Sequence, residues 1–140
     1  MASTADSLAK VPMFNDLPKK ALERLERITR ERSFKAGDAI VKEGDEGVGF
    51  FLITKGKVDV TRGGAKLNTL GAGDFFGEMA LLDNHRRSAT VTATEDTATL
   101  AMLRSDFVAE LRANADLAVE MLTMLSRRLR ESDAKLAEYA

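Results

Sequence analysis

Residues 75–91 place a glycine, a carboxylate, two arginines and hydroxyl side chains among apolar residues, a combination of groups that could do chemistry. Gly77 lets the backbone approach a ligand closely, and residues 77–82 are predicted to form one helical turn whose free N–H groups favour an anion. Arg87 carries a guanidinium fork that can bind two phosphate oxygens at once and stays charged at any working pH. Ser88 adds a hydroxyl donor. The stretch is therefore predicted to bind a phosphate group.

The carboxylate of Glu78 lies within this stretch and needs a partner other than the phosphate. It would repel a phosphate beside it unless it accepts a hydrogen bond from a neighbouring hydroxyl, as acidic residues do with ribose in nucleotide-binding folds. On their own, Arg86 and Arg87 would more often form a solvated surface, but their joint spacing with Glu78 favours a cradle for phosphate and ribose. His85, the single histidine, is interpreted as a surface residue that neither binds metal nor acts as a base.

The sequence Gly-Glu-Met-Ala-Leu-Leu from Gly77, followed by Arg-Ser-Ala-Thr-Val from Arg87, resembles the phosphate-binding cassette of cyclic nucleotide-binding domains. This superfamily includes catabolite activator proteins and the regulatory subunits of protein kinase A. The resemblance implies that Glu78 binds the ribose 2′-hydroxyl and that Arg87 binds the cyclic phosphate. Arg86 departs from the family, which usually has proline there, while the following Ser-Ala-Thr-Val places the register on Arg87. Further cassette residues that the resemblance implies as ligand-binding are Gly77, Met79, Ala80, Ser88 and Ala89.

Composition excludes several classes of site. The 140 residues suit one domain, and the absence of cysteine excludes thiolate zinc sites, iron–sulfur clusters and cysteine nucleophiles. A single histidine cannot supply the cluster of a metal-dependent phosphodiesterase or a cupin-like oxygenase, so neither a metal nor an enzymatic activity is expected. A net charge of −1 and 6% aromatic residues leave no footprint for nucleic acid. Without a membrane-spanning apolar run or a signal peptide, a soluble cytoplasmic protein is expected.

Glycine-containing turns separate short apolar segments between residues 33 and 103, a pattern typical of antiparallel sheets. We predict a mainly β fold with flanking helices: an antiparallel, jelly-roll-like β-roll with an N-terminal helix and a C-terminal helical segment. Residues 1–140 are interpreted as a single cyclic nucleotide-binding domain. Its parts are an N-terminal helical segment at 1–32, the β-roll at 33–103 with its cassette at 75–91, and C-terminal helices at 104–140. Strands are predicted at 39–41, 48–54, 58–61, 66–70, 88–93 and 97–103.

A first helix is predicted to begin near Pro18, with Asp16 as its cap. On its exposed side, Glu26 and Arg30 have the spacing of a helical ion pair. The opposite, apolar side is predicted to pack on the core and consists of Ala21, Leu22, Leu25 and Ile28.

Two C-terminal helices are predicted from Arg104 and from Asn114. In the second helix, apolar and small polar residues recur at steps of three and four, which predicts a heptad seam. The seam can pair two helices as a parallel coiled coil, or it can pack on the chain's own roll. Met121 and Met124 are interpreted as core or lid residues. The seam consists of Leu122, Leu125, Leu129, Ser132, Leu136 and Tyr139.

Four residues outside the cassette are candidates for contact with the nucleotide base. The resemblance aligns Val60 and Leu67 with apolar positions that line the ribose and base pocket, although either can be ordinary core. Ser132 and Arg128 match positions in the dimerisation helix of catabolite activator proteins, where a hydroxyl reaches adenine and a nearby arginine faces the ligand. The alternative is that Ser132 only sets the register of the seam.

The resemblance implies a non-catalytic sensor of cyclic nucleotide, most simply cAMP, that couples binding to movement of the C-terminal helix. The Ser88 hydroxyl resembles bacterial cAMP receptors, whereas cGMP-selective relatives tend to carry threonine there. Expected partners are a second copy of the chain, paired through this helix, and an unidentified effector protein or domain. The alternatives are a cGMP-selective binder, the ligand-binding portion of a Crp-type transcription regulator, or that of a cyclic nucleotide-gated channel.

Overall fold

A computed structural model describes residues 4–47, 49–82 and 86–138, and their side chains except those of Glu78, Met79 and residues 134–138. The chain divides into two compact units, a β unit of Arg27–Val108 and a helical unit of Met1–Glu26 with Ala109–Ala140. The helices are α1 (Thr4–Leu8), α2 (Lys19–Arg27), a 3₁₀ helix (Glu78–Leu81), α3 (Arg104–Ala113) and α4 (Ala115–Glu138). The strands are β1 (Thr29–Phe34), β2 (Ala39–Val41), β3 (Gly49–Lys55), β4 (Lys57–Arg62), β5 (Ala65–Gly71), β6 (Phe75–Phe76), β7 (Thr90–Ala93) and β8 (Thr97–Leu103).

The β unit is built from two antiparallel sheets of four strands each. Their strand orders are β1-β8-β3-β6 and β2-β7-β4-β5. The predicted antiparallel β-roll with flanking helices is therefore confirmed. The sequence folds in this way because short apolar strands broken by glycine turns can bury one face only by pairing with strands distant in sequence.

The apolar strand β3 supplies the centre of the first sheet, and its side chains Phe50, Phe51, Leu52 and Ile53 are buried. Ile53 also forms a core cluster with Val58 and Val91. Burial of each such side chain stabilises the fold by about 1.5–3 kcal/mol. These strands thus form a rigid frame for the loops at their ends.

The sheet begins earlier than predicted, at Thr29 rather than at residue 33, so the N-terminal helical segment does not extend to residue 32. Strand β1 pairs with β8 from Thr29 opposite Met102 to Phe34 opposite Thr97. The predicted helical pair of Glu26 with Arg30 is wrong, because α2 ends at Arg27 and Glu26 instead accepts a hydrogen bond from the Ala5 amide at 2.8 Å. Backbone pairing with a neighbouring strand has overridden a local pattern that suited a helix.

The helical unit contains a buried N-terminal segment that the sequence pattern did not predict. The helix α1 and the turns after it bury five apolar side chains, Leu8, Val11, Met13, Phe14 and Leu17. Of the residues predicted to face the core from α2, Ala21, Leu22 and Leu25 are buried, whereas Ile28 follows the end of that helix and is half-buried.

Two polar contacts in the helical unit test the predicted helix caps. The Asn114 side chain accepts a hydrogen bond from the Leu117 amide at 3.2 Å, which confirms the predicted start of α4. Asp16 was predicted to cap α2, but its carboxylate accepts a hydrogen bond from Arg127 at 2.7 Å. Among the helices in the described part of the chain, none is both long and apolar enough to cross a membrane.

Candidate functional site

The turn that begins at Gly77 is shaped by its backbone conformation. Gly77 has φ +80° and connects β6 to the 3₁₀ helix, whose first hydrogen bond runs from the Ala80 amide to the Gly77 carbonyl at 3.0 Å. The predicted helical turn is therefore present in 3₁₀ form. Strand β6 anchors it, because Phe76 pairs with Phe51 of β3 and their rings stack with centroids 5.2 Å apart.

Gly77 and the Arg87 guanidinium lie in direct contact. A Cβ atom built on Gly77 would collide with Nη1 of Arg87 and would lie 2.7 Å from the Gly49 carbonyl oxygen. Glycine is thus required here by the left-handed backbone and by the close approach of the guanidinium. The structure therefore brings together two cassette residues that the sequence separates by a loop.

The Arg87 guanidinium is half-buried and only partly satisfied. Its Nη2 donates a hydrogen bond to the Gly49 carbonyl at 2.5 Å, whereas its buried Nε has no hydrogen-bond partner among the described residues. Burial lowers the pKa of Arg87 below its ordinary value, because desolvation disfavours the charged form. The side chain therefore presents a desolvated positive charge beside the Gly77 turn.

The loop between β2 and β3 holds the backbone of Arg87 in place. The Arg87 amide donates to the Asp45 carbonyl at 2.7 Å, and the Gly44 amide donates to the Arg87 carbonyl at 2.9 Å. Glu46 and Arg86 form an isolated antiparallel bridge beside them. The position of Arg87 is therefore set by a short backbone pairing rather than by a long strand.

The two consecutive arginines differ in environment. Arg86 is exposed, and its Nη1 donates to the Gly44 carbonyl at 2.8 Å. Arg87 is half-buried and lies against Gly77. Of these two arginines, the second therefore combines burial with a position beside the turn, and its binding of phosphate stays a prediction.

The remaining cassette residues flank this contact. Ala80 is buried, Ala89 is half-buried, and Ser88 is exposed with its carbonyl accepting a hydrogen bond from Arg62 at 2.9 Å. The side chains of Glu78 and Met79 and all of His85 lie outside the described residues. The proposed contact of Glu78 with a ribose hydroxyl therefore stays a prediction.

The predicted base-contacting residues lie in both units. In the β unit, Val60 is half-buried against the Ile53 core cluster, and Leu67 on β5 is 52% exposed. Arg128 and Ser132 lie on α4 in the helical unit, where both are exposed. Contact of these four residues with a ligand stays a prediction.

Sequence reasoning missed the groups that hold Arg87. The Gly49 carbonyl, the Asp45 carbonyl and the Gly44 amide are backbone atoms, so their residue types give no signal. Within the described ranges, no group of three or more histidine, aspartate or glutamate side chains could hold a metal ion.

Comparison with known proteins identifies the family to which this chain is similar. Residues 31–114 match the cyclic nucleotide-binding domain family. The chain is 38% identical over 130 residues to the cyclic AMP receptor protein of Thermus thermophilus, covering 89% of this chain and 60% of the receptor. It is 33% identical over 127 residues to a cGMP-dependent protein kinase of Eimeria tenella, covering 91% of this chain and 12% of the kinase.

A solved structure agrees with these relatives. The N-terminal domain of a transcriptional regulator from Streptomyces coelicolor superposes with a TM-score of 0.84 and 29% identity, covering 92% of this chain and 96% of that domain. This chain belongs to the cyclic nucleotide-binding family. It spans 60% of the receptor's length and 12% of the kinase's length.

Proposed function

We propose that this chain is a non-catalytic sensor that binds a cyclic nucleotide, with a preference for cAMP, and couples binding to its C-terminal helix. The observation that carries the proposal is the half-buried Arg87 guanidinium beside Gly77, whose buried Nε has no hydrogen-bond partner among the described side chains and backbone atoms. A desolvated cation is destabilised until an anion compensates its charge. A cyclic phosphate offers one negative charge and two free oxygens, which match the guanidinium fork.

The neighbouring residues are proposed to contact the rest of the ligand. The 3₁₀ turn after Gly77 offers backbone N–H groups to the same phosphate, and Ser88 offers its hydroxyl. Glu78 is proposed to accept the ribose 2′-hydroxyl proton, and Val60 and Leu67 to provide the apolar wall for the base. Such a wall supplies most of the affinity, while the polar groups orient the ligand.

The preference for cAMP rests on two supports. Ser88 carries the hydroxyl expected of bacterial cAMP receptors, and the receptor of Thermus thermophilus is more similar to this chain than the cGMP-dependent kinase is, at 38% against 33% identity. A direct comparison of the two ligands tests this preference.

The exposed apolar side of α4 supports pairing of two chains. Val119, Leu122 and Leu129 are 60%, 63% and 64% exposed, and the two leucines are one heptad apart. Single exposed leucines are normal in monomers, but leucines at heptad spacing on a long helix favour a coiled coil. Met121 and Met124 are buried instead, which leaves the leucine side of the helix free to pair.

In this proposal Ser132 reaches the base from α4 and Arg128 faces the ligand, so that binding favours one helix position over another. The signal then passes to an effector protein or domain in the cytoplasm. The alternatives are that this chain is the ligand-binding portion of a Crp-type transcription regulator or of a cyclic nucleotide-gated channel.

Titration calorimetry with cAMP, cGMP and 5′-AMP tests the proposal. We expect saturable binding of cAMP, weaker binding of cGMP and much weaker binding of AMP, whose phosphate is doubly charged and not cyclised. Equal binding of cAMP and cGMP would remove the claimed selectivity. No binding of either cyclic nucleotide would refute the sensor itself.

A further inference from the structure

The tip of the β4–β5 hairpin is a tight turn with a defined geometry. Arg62 pairs with Ala65, and the two residues between them, Gly63 and Gly64, have φ +57° and +83°. Positive φ at both central residues is the mark of a type I′ turn, which matches the twist of the flanking strands. This short turn fixes the positions of the Arg62 backbone and of the Gly63 amide.

Both residues of the hairpin end contact the segments around Arg87. The Arg62 Nε donates to the Ser88 carbonyl at 2.9 Å, and the Gly63 amide donates to the Glu43 carboxylate at 3.0 Å. The Glu43 amide in turn donates a hydrogen bond to the Thr90 hydroxyl at 2.9 Å. Three segments distant in sequence are therefore joined at one place.

The segment that carries Arg87 needs such support. Residue 87 and the bend at 88–89 lie between the isolated bridge of Arg86 and the start of β7 at Thr90, so no continuous ladder holds them. The loop between β2 and β3 binds the backbone of Arg87 on one side. Arg62 binds the carbonyl of the next residue, Ser88.

We propose that Arg62 and Glu43 are positioning residues that hold the 87–90 segment so that the Arg87 guanidinium stays beside Gly77. This rests on the proposed binding of cyclic nucleotide. Loss of the Arg62 hydrogen bond releases the Ser88 carbonyl, and the neighbouring Arg87 side chain is then free to move away from Gly77 because the segment between residues 86 and 90 has no continuous strand pairing. Affinity then falls although neither positioning residue touches the ligand.

The test compares Arg62→Met, which removes the donors at similar size, with Arg62→Lys, which retains a donor. Glu43→Ala is compared with Glu43→Gln, which retains an acceptor for the Gly63 amide. We expect the Met and Ala variants to lose about three- to tenfold in cAMP affinity and the conservative variants to recover most of it. The control is Lys66→Met, which removes the Lys66–Asp59 pair at 3.5 Å from the same hairpin.

A second measurement separates positioning from charge. Amide exchange of the ligand-free protein is followed at Arg87, whose N–H donates to Asp45. We expect faster exchange in Arg62→Met and Glu43→Ala, and unchanged exchange in Lys66→Met. Loss of affinity without faster exchange would mean that Arg62 acts on the ligand by charge alone, which overturns the proposal.

The two proposals fail in different ways. If the unmodified chain binds no cyclic nucleotide, the proposed function fails, and unchanged Arg87 exchange in Arg62→Met would overturn the positioning role as well. If the unmodified chain binds cAMP and Arg62→Met matches it in affinity and exchange, only the positioning role is overturned.

Discussion

Replacement of Arg87 by alanine is the sharpest test of the site. The variant removes a half-buried guanidinium that lies against Gly77, so a bound phosphate would be left desolvated and without its counter-charge. Truncation of one partner of a buried charge pair costs about 3–5 kcal/mol. We therefore expect cAMP affinity to fall by roughly a hundredfold to several thousandfold.

The adjacent arginine provides a matched control. Arg86 has the same side chain and almost the same sequence position, but it is exposed and donates to the Gly44 carbonyl. Arg86→Ala should weaken the binding of cAMP by no more than about 0.5–1.5 kcal/mol, the net contribution of one hydrogen bond. Arg87→Lys should fall between the two, because it keeps the charge and loses the fork.

The assay is titration calorimetry on each variant, with thermal unfolding to confirm that the fold persists. Loss of Arg87 also releases the Gly49 carbonyl, so a modest fall in melting temperature is expected. A large loss of affinity at Arg87 with a small loss at Arg86 supports the site. Equal losses at both arginines would show that the assigned register is wrong.

Four further outcomes are expected. Gly77→Ala should abolish high-affinity cAMP binding, because the φ of +80° at residue 77 and the neighbouring guanidinium leave no room for a Cβ. Near-native affinity of this variant in calorimetry would contradict this. The unmodified protein should prefer cAMP over its 2′-deoxy analogue by about 1.5–3 kcal/mol, and Glu78→Gln should lose most of that preference; if both ligands bind the unmodified protein equally, Glu78 has only a structural role. Ser132→Ala should lose on the order of 1 kcal/mol for cAMP and less for cGMP in competition binding, and equal losses would remove Ser132 from base selection. A truncation before Arg128 should keep phosphate-dependent binding but lose part of the cAMP preference and any ligand-dependent dimerisation seen by analytical ultracentrifugation; unchanged behaviour would mean that the helix only packs.

Several elements were predictable from the sequence because local signals suffice to form them. Apolar runs bounded by glycine turns predicted most of the strands, including β3 and β8 at nearly their observed ends. Asn114 predicted the start of α4 because its side chain caps a backbone amide only three residues away. The cassette could be recognised because residues 77–82 and 87–91 resemble the motif of the cyclic nucleotide-binding family.

Other features depended on partners that sequence patterns do not reveal. Strand β1 carries alternating charges that suit an exposed helix, and it is a strand only because β8 offers its edge. The burial of Phe14 and Leu8 likewise depends on tertiary packing, since a five-residue helix gives little local signal.

The surroundings of Arg87 show most clearly which features follow from the sequence and which depend on the tertiary structure. The sequence alone determined that an arginine with this spacing should bind phosphate, because residue type dictates charge and hydrogen-bonding geometry. Only the tertiary structure decided that the guanidinium contacts Gly77 and the Gly49 carbonyl, and that Arg62 reaches Ser88. Those contacts join arginine side chains to backbone atoms of segments far apart along the chain. Backbone atoms are alike in every residue, so which of them an arginine meets depends on the fold as a whole.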